Sequence, residues 1–424
     1  MGRFGFFIFL VFLFVLLDVY SFYGLKGLLS QGRYSRIYTG LYFAISAFGY
    51  FCIVHLYQFM SNGVSGTRSE LFNFTSGFLL TLFITKLVFS IFLITQDGGR
   101  AIIGLFQYVK SLFGDSDASR QTFIPERRTF ITNVGAIVAA IPFFGMLYGI
   151  TKGKYQYTVE KITLTFRDLP KAFDGFKLVQ ISDIHAGSFD NKDKVLEGIL
   201  KINALDPDIV CFTGDLVNSE KEEIDPYIDI FGQIQAKHGK FAILGNHDYY
   251  GRYDKNDPKA IKAYHDDFGK KYAKMGFDLM KNESRSISID GEVIHLLGVE
   301  NWGAGRFFQK YGDIDLAAAN VPKDSFNIML SHDPTHWDEK ILNHERQMHL
   351  TLSGHTHGFQ FGFQLPGYAW SPAKYRYKRW LGLYEEAEKF LYVNRGFGFL
   401  GFPGRIGMWP EITLIELRSG ENVG

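Results

Sequence analysis

The sequence predicts two parts, a helical membrane-spanning region followed by a layered α/β domain. Three observations predict this. Four long apolar runs fall within residues 1–150, each close to the ~20 residues that a bilayer-crossing helix needs. Beyond them, short runs rich in Val, Ile, Leu and Phe alternate with amphipathic stretches, the pattern of strands and helices packed in layers. Five of the short runs end in Asp, Asn or His, and in open α/β sheets ligands sit just past the carboxyl ends of the strands.

The apolar runs are Phe4–Tyr20, Tyr38–Met60, Phe72–Thr95 and Phe130–Ile150. A fifth segment, Ala101–Phe113, is too short to span and reads as an amphipathic helix lying in the interface. The loop after the first run carries Lys26, Arg33 and Arg36, and the loop after the third carries Arg100, Lys110, Arg120, Arg127 and Arg128. The ends facing the other way have only Arg3 and Arg68. Positive loops stay in the cytoplasm, so the domain after Ile150 is expected outside it, in a bacterial inner membrane facing the periplasm or exterior. Arg127-Arg128 reads as the basic flank of the fourth run rather than as an export signal. Lys86 lies in mid-span, where an ionisable side chain either serves a function or pairs inside the bundle. Asp18 and His55 lie near span ends, where the interface tolerates them.

The domain is taken in order. Tyr157–Phe166 alternates like a half-exposed strand. Leu178–Ile181 is a buried strand ending in Asp183-Ile184-His185. Val195, Leu196, Ile199, Leu200 and Ile202 share one helical face. Ile209–Phe212 leads to Gly214-Asp215, and Ile224–Ala236 reads as a further helix. Phe241–Leu244 leads to Gly245-Asn246-His247-Asp248, and Tyr253–Met280 is helical in part. Asp290-Gly291 joins two apolar runs as a hairpin. Ile328–Leu330 leads to His332, and Leu350–Leu352 to Gly354-His355-Thr356-His357. Strands at Tyr392–Asn394 and Ile412–Leu417 close the domain.

The bulk numbers exclude some functions. Lys and Arg total 45 against 44 Asp and Glu, so no positive surplus calls for nucleic acid. Cys52 and Cys211, one in an apolar run and one in a core strand, are not expected to pair. Asp183, His185, Asp215, Asn246, His332, His355 and His357 are then seven donors from five strand ends. A donor set of Asp, Asn and His without thiolate suits divalent ions such as Mn, Fe or Zn. One ion takes three or four ligands; two ions sharing one carboxylate account for the whole set. Such a pair holds a hydroxide between its members and stabilises both the attacking and leaving oxygens of phosphoryl transfer.

These blocks, in this order, resemble the calcineurin-like metallophosphoesterase superfamily over about residues 158–424. The closing stretch, Tyr392-Val393-Asn394-Arg395-Gly396 through Pro410-Glu411-Ile412-Thr413-Leu414, is similar to its membrane-associated bacterial branch of YkuE-type phosphoesterases and lipid A precursor pyrophosphatases. The resemblance implies a four-layer α/β/β/α sandwich. It implies that Asp183, His185 and His357 hold one ion, that Asn246, His332 and His355 hold the other, and that Asp215 bridges them. It further implies that His247 contacts the phosphate and protonates the leaving oxygen, with Asp248 orienting it. Each block alone is weak, since a lone His332 or Asp-x-His is usually structural. His349 reads as such a residue; His238, His265, His295, His336 and His344 read as surface or packing groups, and Asn301 as a pocket residue or a turn cap.

The organisation expected is a transmembrane region over 1–150, a linker over 151–157 and a catalytic domain over 158–424. Phe359–Trp380 interleaves aromatic residues with Lys374, Arg376, Lys378 and Arg379, a composition suited to a membrane interface and anionic head groups. It reads either as a lip admitting a phospholipid or lipid-linked pyrophosphate, or as ordinary core with a solvated loop. The alternatives to a lipid phosphoesterase are an anchored phosphatase for soluble substrates and a non-catalytic sensor or complex subunit.

Overall fold

The computed structural model describes residues 3–29, 33–61, 69–112, 125–251, 253–254, 256–306 and 308–420. Arg68, Phe113 and Arg120 lie outside them. The chain divides into two compact units, Met1–Val64 with Phe74–Ile150 and Ser65–Asn73 with Thr151–Gly424.

The first unit contains the helices α1 (Arg3–Leu29), α2 (Ser35–Ser61), α3 (Glu70–Leu112) and α4 (Pro125–Thr151). All four are long and apolar enough to cross a membrane. The third run and the supposed interfacial segment after it are one helix of 43 residues, about 65 Å long at 1.5 Å per residue. Gly98-Gly99 and the polar residues around them do not break it, because two glycines cost only about 1 kcal/mol each against the cooperativity of a long helix. The stretch from Ala101 onward is almost wholly exposed.

Asp18 is not an interfacial residue. It is buried with Lys86, the two side chains forming an ion pair between α1 and α3. From α2, Tyr42 and Tyr50 donate hydroxyl hydrogen bonds to its carboxylate at 2.9 and 3.1 Å, and Ser46 donates at 2.7 Å. Lys86 is therefore the paired lysine of the two readings above. Three helices are joined by one polar knot in surroundings where unsatisfied charge is costly. His55 likewise finds a partner, the Thr75 hydroxyl at 2.9 Å.

Among the described residues of the second unit, fourteen strands form two six-stranded sheets and a separate hairpin. The first sheet has the order β1 (Thr158–Phe166), β14 (Glu411–Ser419), β2 (Phe176–Ile181), β3 (Ile209–Phe212), β4 (Lys240–Ala242), β5 (Asp278–Leu279). The second has the order β12 (Gly382–Glu386), β13 (Lys389–Val393), β9 (Leu350–Ser353), β8 (Asn327–Leu330), β7 (Glu292–Gly298), β6 (Glu283–Ile289). The hairpin pairs β10 (Phe363–Leu365) with β11 (Tyr368–Trp370). Strands β2 to β5 run parallel, as do β7, β8, β9 and β13.

Both faces of the parallel strands are covered, as their unbroken apolar runs require. Leu178, Ile209, Ile243 and Ile415 meet Ile294, Ile328, Leu350 and Leu352 in the core between the sheets. Outside the first sheet pack α5 (Lys192–Asn203) and α6 (Pro258–Lys274), through Val195, Ile199, Phe268 and Tyr272. Outside the second, Trp337 and Ile341 close the layer. This is the four-layer sandwich.

Local differences have local causes. The helix expected over Ile224–Ala236 is a 3-10 turn over Lys221–Tyr227 and four α-helical residues after it; Pro226 sits inside the turn and cannot donate the bond an α-helix needs. The segment read as a linker contains a buried 3-10 turn, Gly153–Tyr155. Lys154 pairs there with Asp190, and the Tyr155 hydroxyl bonds the same carboxylate at 2.8 Å.

The polar knot yields a prediction. Lys86→Leu alone leaves Asp18 buried and uncompensated, and is expected to cost about 3–5 kcal/mol. Lys86→Leu with Asp18→Asn is expected to recover most of that. Thermal unfolding in detergent checks the order of the two variants.

Candidate metal centre

The carboxyl ends of β2, β3 and β4 in one sheet and of β8 and β9 in the other face a common crevice, and all nine side chains singled out above lie on the loops that follow them. The chain has to turn sharply there. Asp183, His185, Asp215, His355 and His357 all adopt left-handed backbone, with φ of 50°, 47°, 60°, 70° and 51°. Non-glycine residues occupy this region at a cost, and such strain collects at functional sites. Glycines sit where even a methyl group has no room. A Cβ on Gly354 would lie 2.3 Å from Asp183 Oδ2, and one on Gly245 would lie 2.2 Å from Asp215 Oδ1.

Two donor groups result. Asp183, His185 and His357 form one, and Asp215, His332 and His355 the other; within each, one ligand atom per residue lies within 4.8 Å of the rest. Asn246 Oδ1 stands 2.9 Å from His355 Nδ1, which adds the seventh donor to the second group. Asp215 Oδ2 lies 3.6 Å from His185 Nε2 and 3.2 Å from His332 Nε2, between the two groups.

Backbone carbonyls set the imidazole tautomers. His332 Nδ1–H donates to Thr213 O at 2.7 Å and His185 Nδ1–H to Val217 O at 3.2 Å. Each ring then offers the lone pair of Nε2 to the crevice, the form that binds a cation. The result calls for cations. His185 Nε2 and His357 Nε2 face each other at 3.0 Å. His332 Nε2 is buried, and with Asp215 Oδ2 at 3.2 Å it makes no well-aligned hydrogen bond among the described residues. The donors therefore fit a pair of divalent ions.

The electrostatics agree. Burial alone raises the Asp183 and Asp215 carboxyls, yet the imidazoles beside them, His357 for Asp183 and His332 for Asp215, hold both below the usual carboxylate range. Burial opposes a charge on His332, but Asp215 and Asp183 push its pKa up to about 10. Burial drives His185 well below the ordinary histidine value.

Asp248 does not orient His247 directly. Its carboxylate accepts from the backbone N–H groups of Gly245, Asp215 and Leu216 at 2.9, 3.0 and 2.9 Å, tying the loops after β3 and β4 together. Burial, with Asp215 nearby, pushes its pKa up to about 8 despite those donors. The orienting partner of His247 is the Asn218 carbonyl, which accepts from Nδ1–H at 2.6 Å. A backbone carbonyl brought in from another loop leaves no mark in a motif. The His247 backbone N–H donates to Asp215 Oδ1 at 2.8 Å.

Three further side chains border the centre. The Tyr377 hydroxyl is 3.0 Å from His355 Nε2. Asp333 Oδ2 is buried, unpartnered among the described residues and 3.6 Å from the same nitrogen. Arg405 is fully buried, with Nη2 3.3 Å from His357 Nδ1 and its guanidinium against the carbonyls of Arg395, Gly398 and Met408. Asp333 follows a motif histidine directly, which was a signal; Tyr377 and Arg405 are far from any block. Outside the centre, His349 is structural, accepting from Asn327 N–H at 2.9 Å and bonding Asp168 at 2.5 Å. Asn301 is buried and donates to Gln309 Oε1 at 3.1 Å.

Asp248→Ala leaves the buried N–H groups of Asp215, Leu216, Val217 and Gly245 unpaired, at about 1–3 kcal/mol each, and is expected to lower the melting temperature severely. Asp248→Asn keeps one acceptor oxygen and is expected to lower it less. Thermal unfolding of the metal-free protein compares them.

Comparison with known proteins covers both units. Residues 3–154 match a family model described as "Probable Calcineurin-like phosphoesterase, transmembrane domain", and residues 176–359 match "Calcineurin-like phosphoesterase". The metallophosphoesterase YkuE of Bacillus subtilis is 30% identical over 302 residues, which is 69% of this chain and 98% of that protein. The phosphodiesterase YaeI of Escherichia coli is 25% identical over 69% of this chain and 98% of its own length. A transmembrane protein with metallophosphoesterase domain from Danio rerio is 28% identical over 64% of this chain and 60% of its own length. With a metal-ready crevice at the ends of two sheets and four apolar helices ahead of it, the chain belongs to the calcineurin-like metallophosphoesterase family, as a membrane protein and a metal-dependent phosphoesterase.

Proposed function

We propose that the crevice holds two divalent ions, Mn, Fe or Zn, and hydrolyses phosphate-ester or pyrophosphate bonds of a lipid-linked substrate outside the cytoplasm. Asp183, His185 and His357 would hold the first ion, Asn246, His332 and His355 would hold the second, and Asp215 would serve both. The observation that carries this is the position of Asp215 Oδ2, within 3.6 Å of an imidazole from each group.

Such ions, when bound, would supply Lewis-acid charge and a source of nucleophilic hydroxide near neutral pH. The chain does the rest. Asn218 holds the His247 ring with Nδ1 protonated, so that Nε2 is the atom free to exchange a proton. His247 is thus the group that contacts the phosphate and protonates the leaving oxygen. Asp248 positions it through the backbone, by fixing the loops on which Asp215 and His247 sit.

The anchor is assigned to residues 1–150 and the catalytic domain to 158–424, with 151–157 packed as the connection. The basic residues Lys26, Arg33, Arg36, Arg100 and Lys110 support an orientation that leaves the domain on the periplasmic or outer side of a bacterial inner membrane.

The test is to measure metal content, then assay wild type, Asp215→Asn and His247→Ala on a phosphodiester, a phosphomonoester and a lipid pyrophosphate. Two ions per wild-type chain are expected. Asp215→Asn is expected to lose several powers of ten in rate and at least one ion. His247→Ala is expected to keep both ions and lose roughly 10²–10⁴-fold. A metal-free wild type without activity would overturn the reading in favour of a scaffold.

A pH dependence follows from the ion-free site. His332 carries a proton up to about pH 10, and an ion has to displace it. Metal uptake at neutral pH is therefore expected to release protons, and apparent affinity to rise as pH rises towards that value. Calorimetry in buffers of different ionisation enthalpy measures the protons released; none released would contradict His332 as a ligand.

A further inference from the structure

Between the ligand His357 and Tyr377 at the edge of the crevice, the chain leaves both sheets. It forms β10 and β11, a two-stranded hairpin paired to neither. Leu365 and Tyr368 are directly opposed at its end, joined through Pro366-Gly367 with Gly367 at φ 75°. A lone hairpin is marginal in water, and it usually buries one apolar face. This one does not. Phe363, Leu365 and Tyr368 are 44%, 59% and 54% exposed, Phe359 and Phe361 beside them are 45% and 43% exposed, and Tyr375 is 76% exposed. Apolar groups clustered to this extent on one projection mark a binding surface.

We propose that this hairpin is a membrane-inserting lip that enters the outer leaflet of an anionic bilayer. Three observations select lipid as its occupant. The same chain carries four helices able to cross a membrane, so the domain is tethered to a bilayer and meets it at high effective concentration. The surface mixes aromatic rings with cations in the manner of interfacial belts. The cations are also sorted. Lys378 and Arg379 bond Asp338, and Arg379 also bonds Glu386 and stacks on Trp337. Lys374 and Arg376 have no acidic partner among the described residues and lie over the Tyr375 and Tyr377 rings at 5.4 and 5.7 Å. Lys374 thus sits with Tyr375, whose hydroxyl accepts from Trp370 of the hairpin, and Arg376 with Tyr377, whose hydroxyl touches His355. A lipid whose chain lies along the hairpin would bring its headgroup phosphate, which carries the bond to be cut, towards Arg376 and Tyr377 at the edge of the metal centre. Only this last step rests on the catalytic reading; the membrane contact stands apart from it.

The test uses the full chain in vesicles containing phosphatidylglycerol, with Cys52 and Cys211 replaced by Ala. A nitroxide is placed on Leu365→Cys, or on Leu200→Cys as the control, since Leu200 is 56% exposed on α5. Power saturation is expected to find the 365 label reached by oxygen and shielded from a nickel chelate, and the 200 label open to both. A 365 label open to the chelate overturns the lip. So does one shielded from both reagents, which would indicate a protein partner. A second arm assays Phe363→Asp with Leu365→Asp. Hydrolysis of a soluble diester in detergent is expected to be unchanged, while hydrolysis of lipid substrate in bilayers is expected to fall about tenfold or more. Equal loss on both substrates overturns the proposal. A 365 label that inserts while the wild type cleaves neither substrate would sink the catalytic reading and leave the lip intact.

Discussion

The structure of the catalytic unit turns on one electrostatic constraint, the gathering of buried carboxylates and imidazoles into one crevice. Asp183, Asp215 and Asp248 are each no more than 1% exposed, as are His185 and His332. Charges so placed are costly unless something of opposite sign completes them. Within the protein the compensation is incomplete. Imidazoles crowd together, His332 Nε2 makes no well-aligned hydrogen bond, and Asp248 is repelled by Asp215. Divalent cations held by these donors would offset each of these faults at once.

The rest of the domain holds that arrangement rigid. Parallel strands from two sheets deliver their ends to one edge, and the apolar core between the sheets fixes how far apart those ends stand. Left-handed turns then aim the donors inward, and Gly245 and Gly354 let neighbouring loops close to contact. Asp248 and the Asn218 carbonyl act at one remove, one on the backbone and one on the His247 ring. A donor set fixed this way is organised in advance, which would lower the cost of binding an ion there.

In the membrane unit a similar rule operates with different partners. Asp18 and Lys86 neutralise each other, and the hydroxyls of Tyr42, Ser46 and Tyr50 complete the acid's hydrogen bonds. No cation is called for there, because the ammonium of Lys86 already supplies the positive charge. The knot draws on three helices, so it fixes their mutual register as apolar packing alone would not.

Much of this was legible in the order of residues. Alternating strands and helices announced the layered domain, and an Asp, Asn or His at five strand ends announced a metal centre, because strand direction alone decides which end carries the ligands. Four apolar runs announced the spans by length. What the chain by itself did not carry was anything that depends on residues far apart becoming neighbours. Asp18 has an unremarkable local context and meets Lys86 only through helix packing. Tyr377 and Arg405 reach the crevice from segments without a motif, and Lys378 and Arg379 look like Lys374 and Arg376 until Asp338 claims them. The role of Asp248 shifted for the same reason: next to His247 in sequence, it turns instead to the amides of two loops. Sequence determined which chemical groups are present and which strand end each follows, since those are properties of local pattern. Tertiary structure decided which groups compensate one another, since charge and hydrogen bonding act through distances that only the packed sheets and helices set.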